Sequence, residues 1–257
     1  MKLFTTTTIG TLALSIAIYS QQSPPTDAKT GAKTGGKKGG FRIPTIEAAA
    51  ETGFQPIFDG NSLNGWDGDP TFWRVEDGAI VGQTLVDKQP KENTFLIWRG
   101  GSPANFELKL DYKLTGFNSG IQVRSRERED FKWGMVGYQA DIDGEQRYTG
   151  QWYEERGRGF LAMRGQYTWI NGEGKPGLLG TLGDDEQLKG LIKGGDWNSL
   201  HIIARGSTLY QIQNGRLMSV LMDDDTKGRK LDGLIGIQCH VGQPMKIELK
   251  NIRLKRQ

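Results

Sequence analysis

The chain contains very little cysteine and histidine. Of its 257 residues, one is Cys (Cys239) and two are His (His201 and His240). A single Cys excludes an internal disulfide, so a folded domain must be stabilised by its core alone. No Cys/His spacing for zinc, no P-loop and no dinucleotide-binding glycine motif occurs in the sequence. The common signatures of zinc and nucleotide sites are therefore excluded.

The chain also lacks an excess of charge where a folded domain would carry it. Its formal net charge is +3, but residues 1–40 contain five Lys and one Asp, which leaves 28 basic and 29 acidic residues from Phe41 onward. Non-specific nucleic-acid binding depends on neutralising phosphates with an excess of basic residues. A domain of net charge −1 is not expected to bind nucleic acid.

A long apolar run occurs near the N-terminus, at Ile9–Tyr19. It follows Lys2 and is too short to span a bilayer comfortably, so residues 1–20 are predicted to be a secretory signal peptide. Ile18-Tyr19-Ser20 is a poor cleavage site, which leaves an uncleaved anchor open. Residues 21–44, rich in Gly, Lys, Thr and Pro, are predicted to be a flexible linker. These features predict a periplasmic or secreted protein without a transmembrane domain in its mature form, attached at most weakly to an anionic envelope through the Lys-rich linker.

Residues 45–257 are predicted to form one all-β domain. Short runs of β-branched and aromatic residues alternate with turn residues, and Asp77-Gly78 and Asn214-Gly215 are strong hairpin signals. Helical turns are predicted only at Ile46–Glu51 and Asp184–Lys193. Many short strands favour an antiparallel two-sheet sandwich or jelly roll. Strands are predicted at Phe72–Val75, Ala79–Gly82, Thr94–Arg99, Phe106–Leu114, Gly120–Arg124, Tyr138–Ile142, Leu200–Arg205, Thr208–Gln213, Leu217–Leu221, Gly233–Cys239 and Met245–Lys255.

Polar side chains repeat on one face of two central strands. Gln122 and Arg124 alternate with apolar residues on one strand, and Gln139, Asp141 and Asp143 do so on another. This pattern indicates either a sheet face that lines a sugar-sized site or an ordinary solvated face.

Seven motifs follow one another along the predicted domain. They are Phe54–Trp66 (FQPIFDGNSLNGW), Trp73–Gly82 (WRVEDGAIVG), Asn118–Arg124 (NSGIQVR), Gly137–Asp141 (GYQAD), Trp197-Asn198, Gly233–Met245 (GLIGIQCHVGQPM) and Lys250–Arg253 (KNIR). Together they resemble the 3-keto-disaccharide hydrolase domain family over about residues 52–256. The resemblance implies a concanavalin-like jelly roll in an exported bacterial protein that cleaves 3-keto-glycosides as a 1,2-lyase, a hydratase or a net hydrolase.

Such a reaction needs a base for the C2 proton, a donor for the enediolate oxygen and an acid for the C1 leaving group. His240 is predicted to be the base because imidazole titrates near neutrality, whereas His201 is read as structural. Asp141 is the leading acid or metal-ligand candidate. The segment around Tyr153 resembles the family's stretch near the pocket, which makes Tyr153 a candidate oxyanion donor and Glu154 a second candidate acid. The residues predicted to bind substrate are Gln238, Gln139, Arg124, Gln122, Arg158 and Trp152.

Other interpretations stay open. A two-carboxylate glycoside hydrolase is disfavoured because Gln139 stands where the first acid of the strand would be. A non-catalytic carbohydrate-binding module needs only polar groups and aromatic platforms, for which Trp98, Trp133, Trp152 and Trp169 are candidates.

No cofactor is required by the sequence, although a divalent cation is left open, and Asp223-Asp224-Asp225 is either a calcium-binding cluster or a solvated turn. Gly172–Gly195 is either a mobile flap or a long connection.

Overall fold

The computed structural model describes residues 52–257, which form a sandwich of two β-sheets. The predicted signal peptide, the linker and the helical turn at Ile46–Glu51 lie outside these residues. Among residues 52–257, no helix is long and apolar enough to cross a bilayer.

Seventeen strands and one short helix make up the described part of the chain. The strands are β1 (Gln55–Pro56), β2 (Trp66–Asp67), β3 (Trp73–Glu76), β4 (Ala79–Thr84), β5 (Thr94–Trp98), β6 (Phe106–Gly116), β7 (Asn118–Glu127), β8 (Met135–Asp143), β9 (Trp152–Glu155), β10 (Gly159–Ala162), β11 (Gln166–Ile170), β12 (Pro176–Thr181), β13 (Asn198–Arg205), β14 (Thr208–Gln213), β15 (Arg216–Asp223), β16 (Leu234–Cys239) and β17 (Met245–Arg256). The helix, α1, spans Asp185–Lys189 and is capped by the side chain of Asp184, which accepts from the Gln187 amide.

The ten-stranded sheet has the order β12-β11-β15-β14-β13-β6-β17-β4-β3, with β1 beside β17. The seven-stranded sheet has the order β10-β9-β8-β7-β16-β5-β2. Every strand pair is antiparallel except β11 with β15. The all-β jelly-roll prediction is confirmed, and each of the eleven predicted strands is present.

Sequence alternation explains why these strands form. In β6, Phe106, Leu108 and Leu110 are buried, whereas the charged residues between them are half-buried. The two predicted hairpin turns form because Asp77 and Gly78, like Asn214 and Gly215, adopt positive φ.

The two sheets bury one hydrophobic core between them. Ile121 of β7, Ala140 of β8 and Ile237 of β16 point into this core from the seven-stranded sheet. Each of these three residues has a glutamine beside it in the sequence: Gln122, Gln139 and Gln238. Because successive side chains of a strand point to opposite sides, the three glutamines lie on the other side of the sheet, which we call the outer face.

Candidate active site

A cavity of about 270 Å³ opens on the outer face of the seven-stranded sheet. Its walls come from five neighbouring strands, β16, β7, β8, β9 and β10, and from the loops beside them, so residues far apart in sequence converge there. The lining residues are Asn93, Asn118, Gln139, Asp141, Tyr148, Tyr153, Glu155, Phe160, Gln238 and His240. Three larger cavities, of about 550, 390 and 390 Å³, lie elsewhere on residues 52–257, and none of the ionisable side chains lining them is buried.

Asp141 is the most perturbed acid in the cavity. Its side chain is buried, and Oδ1 accepts a hydrogen bond from Gln139 Nε2 at 2.8 Å, while Oδ2 has no hydrogen-bond partner within the described chain. Desolvation by burial raises the pKa of Asp141 to about 8, which the Gln139 bond partly opposes and the nearby Glu155 and Asp143 charges reinforce. Asp141 is therefore largely protonated at neutral pH and can donate a proton.

Glu155 is a second buried carboxyl group in the same cavity. It accepts from Asn93 Nδ2 and from Gln238 Nε2, each at 3.3 Å. Burial raises the pKa of Glu155, and the two amide donors and electrostatic interactions with His240 and Arg156 partly offset that rise. Asn93 Oδ1 also accepts the backbone amide of Val241 at 3.1 Å. Asn93 thus joins Glu155 to the loop that carries His240.

Three glutamine side chains form a hydrogen-bonded network beside the two carboxyl groups. Gln122 Nε2 donates to Gln139 Oε1 at 3.0 Å, and Gln139 Nε2 donates to Asp141 and, at 3.5 Å, to Gln238 Oε1. Gly120 leaves space for this glutamine network, because a Cβ atom there would lie 2.5 Å from the Gln139 side chain. The amides orient Asp141 and Glu155 without adding a positive charge that would ionise them.

His240 follows the end of β16 and is half-buried. Its Nδ1 lies at hydrogen-bond distance from the carbonyl oxygen of Val241, and its ring meets Phe117 edge-on at a centroid distance of 5.0 Å. A carbonyl oxygen only accepts, so Nδ1 carries the hydrogen and the neutral ring keeps its lone pair on Nε2. This tautomer is the one needed for proton abstraction by Nε2.

Tyr153 and Asn118 supply hydrogen-bond donors at the cavity wall. Burial raises the pKa of Tyr153, with a further contribution from Glu155, so the phenol stays protonated. Neither the Tyr153 hydroxyl nor the Asn118 side-chain amide makes a hydrogen bond within the described residues, and both line the cavity, so both can bind an oxygen of a ligand.

The structure does not bring Arg124 into the cavity. Its φ is +47°, and the β7–β8 register shifts between Val123 and Arg126, so the alternation breaks at this bulge. The guanidinium instead donates to the carbonyl oxygens of Ala104 and Gly206. The alternation of β7 predicts the face on which Gln122 lies, but it fails at Arg124. Gln122 donates to Gln139 on the neighbouring strand and is fully buried, so it supports the cavity without lining it.

Glu154 and Arg158 also lie outside the cavity. In β9 successive side chains alternate, so Tyr153 and Glu155 face the cavity while Glu154 points the other way. Glu154 accepts from Arg158, which also donates to Asp223 and Asp225. The predicted role of Glu154 as acid and of Arg158 as substrate clamp therefore has no support in this geometry.

No tryptophan lines the cavity. Trp152 is fully buried in the core, which contradicts its predicted role as a stacking surface. Trp98 is also buried, Trp133 donates to Asp67, and Trp169 donates to Asp224 on the ten-stranded sheet. His201 pairs with Glu107 at 3.0 Å, away from the cavity.

The sequence does not predict five of the cavity residues: Glu155, Asn93, Asn118, Tyr148 and Phe160. A strand through Tyr153 places Glu155 on the same face by its period of two, but the Gly-rich sequence that follows favours a loop. The others lie in loops or at strand ends, where residue spacing carries no information about direction. Within residues 52–257, no group of three His, Cys, Asp or Glu side chains is arranged to hold a metal ion.

The sequence of residues 53–255 matches the profile of the 3-keto-alpha-glucoside-1,2-lyase-like domain. The chain belongs to this family. Its cavity residues Asp141, Tyr153 and His240 all lie within the matched segment.

One curated relative and two solved structures are similar to parts of the chain. A segment of 83 residues is 36% identical to a 3-keto-disaccharide hydrolase of Bacteroides thetaiotaomicron and covers 29% of this chain and 28% of that protein. The match thus spans little more than a quarter of the curated relative. A solved structure of a candidate glycosyl hydrolase from Parabacteroides distasonis has a TM-score of 0.54 at 22% identity, covering 84% of this chain and 98% of that one. A second from the same organism gives 0.52 at 20%, covering 79% and 99%. At these identities the two structures show the fold alone.

Proposed function

We propose that this protein is an exported enzyme that cleaves 3-keto-glycosides by removing the C2 proton and eliminating the C1 leaving group, with hydration of the product giving net hydrolysis. The observation that carries the proposal is the pairing, in one cavity, of a buried Asp141 with a pKa raised to about 8 and a His240 whose Nε2 keeps its lone pair. Family membership and the name of the Bacteroides relative support the choice of substrate.

The first step uses His240 as the base. The C3 ketone acidifies the C2–H bond, and His240 Nε2 takes the proton while the electron pair moves toward the ketone oxygen. Tyr153 and Asn118 donate hydrogen bonds to the enediolate oxygen, because their donors have no competing partner within the described chain. A protonated Tyr153 stabilises this charge as a donor.

The second step uses Asp141 as the acid. As the C1–O bond breaks, the protonated carboxyl gives its proton to the departing oxygen, which leaves as an alcohol. The Gln139 amide holds Oδ1, so the proton is left to Oδ2. The products are a 3-keto-2-hydroxyglycal and the free aglycone, and solvent returns the proton from His240 to Asp141.

The direct test incubates the purified protein with a panel of 3-keto-glucosides, with and without a chelator, and follows the release of aglycone and of 2-hydroxyglycal. We expect wild-type turnover and a loss of about 10³-fold in His240→Ala, with binding retained. His201→Ala is the matched control, since His201 lies outside the cavity. Activity that disappears in the chelator arm would add a divalent cation to the mechanism.

A carbohydrate-binding module would give a different outcome. It would bind unoxidised glycans, turn over no member of the 3-keto panel and keep its affinity in His240→Ala. That combination would reject the elimination mechanism.

Export is a separate part of the proposal. It depends on the predicted signal peptide at residues 1–20, which lies outside the described residues. Cell fractionation with N-terminal sequencing of the mature protein tests it. A cytoplasmic protein that retains Met1 would contradict export.

A further inference from the structure

Two aromatic side chains at the cavity rim are exposed to solvent. Phe160 is 43% exposed and Tyr148 is 36% exposed, and their rings stack at a centroid distance of 5.4 Å with an interplanar angle of 30°. Phe160 also meets the ring of Tyr153 edge-on at 5.1 Å. Leaving such rings in water forgoes stabilisation that burial would give.

Their position is unusual for this molecule. In residues 52–257 the exposed aromatic side chains are Tyr148, Phe160 and Trp169, and two of these three line the same cavity. Trp169 lies on β11 of the other sheet, where its indole donates to Asp224. An exposed aromatic pair beside a polar cavity is typical of a binding surface for the apolar face of a ligand ring.

The strand order places His240, Asp141 and Phe160 one after another across the sheet. His240 follows β16, Asp141 lies on β8 and Phe160 lies on β10, and the sheet runs β16-β7-β8-β9-β10. Strands in a sheet are about 4.8 Å apart, so Asp141 lies about two strand spacings from His240, and Phe160 about two further on. In the substrate, C2, the C1–O bond and the leaving group also follow one another in a line.

We infer that Phe160 and Tyr148 bind the leaving group, and that the enzyme prefers 3-keto-glycosides whose leaving group is a ring with a flat apolar face. This inference rests on the proposed function, because the direction comes from placing C2 at His240 and the glycosidic oxygen at Asp141. A sugar ring and an aryl ring both present such a face, whereas a methyl group does not reach the aromatic pair.

The experiment compares kcat/KM for three 3-keto-glucosides that differ in the leaving group: methyl, p-nitrophenyl and glucosyl. Wild type, Phe160→Ala and Tyr148→Ala are measured, with Trp169→Ala as the control that removes an exposed aromatic ring elsewhere. Each variant is compared with wild type on the same substrate, which cancels the intrinsic reactivity of the leaving groups. Thermal unfolding of each variant confirms that it is folded.

We expect Phe160→Ala to lower kcat/KM about tenfold for the two ring leaving groups, the loss of one aromatic contact, and to change the methyl substrate less than twofold. A loss shown by the p-nitrophenyl substrate alone would assign the surface to aryl leaving groups, and a loss shown by the glucosyl substrate alone would assign it to sugars. An equal loss on all three substrates, or no loss on any, would overturn the inference.

The failure of the proposed function gives a distinct result. If wild type turns over none of the three, the mechanism is wrong, and binding of unoxidised p-nitrophenyl and methyl glucosides decides the role of the rim. Weaker binding of the aryl glucoside alone to Phe160→Ala would keep the ring-binding surface, and unchanged binding would reject it.

Discussion

Glu154 and Glu155 are adjacent in the sequence, yet they belong to two different clusters of carboxyl groups. One cluster surrounds a guanidinium, and the other is held by neutral amides. Glu154 lies with Asp223 and Asp225 around the Arg158 guanidinium, which we call the Arg158 cluster. Glu155 lies with Asp141 in the cavity, which we call the cavity pair. The alternation of side chains along β9 separates the two glutamates.

The Arg158 cluster is held together by a single guanidinium. Tyr138 donates to Asp223 as well, and Arg158 donates to all three carboxylates, so the hydrogen-bonding capacity of the cluster is used within it. In the cavity pair, neutral amides replace the guanidinium, and burial raises the pKa of both acids. Carboxylates beside Arg hold a structure together, whereas Asp141, buried beside the neutral amide of Gln139, keeps a proton that chemistry can use.

The largest expected effect is on turnover, in the cavity pair. Asp141→Asn keeps the shape of the side chain and the acceptor for Gln139, but it removes the transferable proton. We expect kcat for a 3-keto-glucoside to fall about 10³-fold, close to 4 kcal/mol of transition-state stabilisation. Substrates with very acidic leaving groups should lose less, since they depart without a proton. A variant with normal kcat would show that Asp141 is not the acid.

The next effect is on stability, in the Arg158 cluster. Arg158→Met leaves the three carboxylates together without their cation. Breaking a buried ion pair from one side typically costs 3–5 kcal/mol, and we expect about 3 kcal/mol of unfolding free energy, because Arg158 is 21% exposed. Denaturant unfolding measures this value. The kcat of the folded variant should stay within about twofold of wild type, and a larger loss would mean that the two clusters are coupled.

The pH dependence of stability separates the two regions further. A carboxyl group whose pKa is raised in the folded state stabilises the protein fully below its unfolded pKa, and that stabilisation is lost as pH rises through the folded pKa. For Asp141 the window runs from about 4 to about 8. We expect the unfolding free energy of wild type to fall across it by up to about 1.4 kcal/mol per pH unit. Asp141→Asn should show a flatter profile in thermal unfolding, and identical profiles would contradict the raised pKa.

These contrasts show which parts of the site are predictable from sequence. The alternation in β7, β8 and β16 predicts the shared outer face of Gln122, Gln139, Asp141 and Gln238, because side-chain direction has a period of two while a strand stays regular. It fails at Arg124, because the bulge there reverses the direction. The motifs identify the family and the fold, since they mark turns and core positions.

Six strands are not predicted from the sequence. β1 and β2 are only two residues long, and β9 to β12 lie in the segment 148–181, whose Gly residues and short runs without sustained alternation resemble loops. Tertiary pairing adds β9 and β10 to β8 at one end of the seven-stranded sheet, and it adds β11 and β12 to β15 at one end of the ten-stranded sheet. The cavity wall formed by Tyr153, Glu155 and Phe160 was therefore only partly predictable.

The smallest expected effect compares the two adjacent glutamates directly. The Glu155 charge helps to raise the pKa of Asp141, so Glu155→Gln lowers that pKa and the loss of activity on the alkaline side begins at a lower pH. At pH 7 we expect kcat/KM to change less than tenfold, because the acid and the base both remain. Glu154→Gln is the matched control: it removes the same charge one residue away, and it should weaken stability by about 1–2 kcal/mol without moving the alkaline limb. Profiles of kcat/KM against pH measure both variants. If the alkaline limb moves equally in Glu155→Gln and Glu154→Gln, both charges act on Asp141 to the same extent. The opposite directions of the two side chains would then have no electrostatic consequence for Asp141.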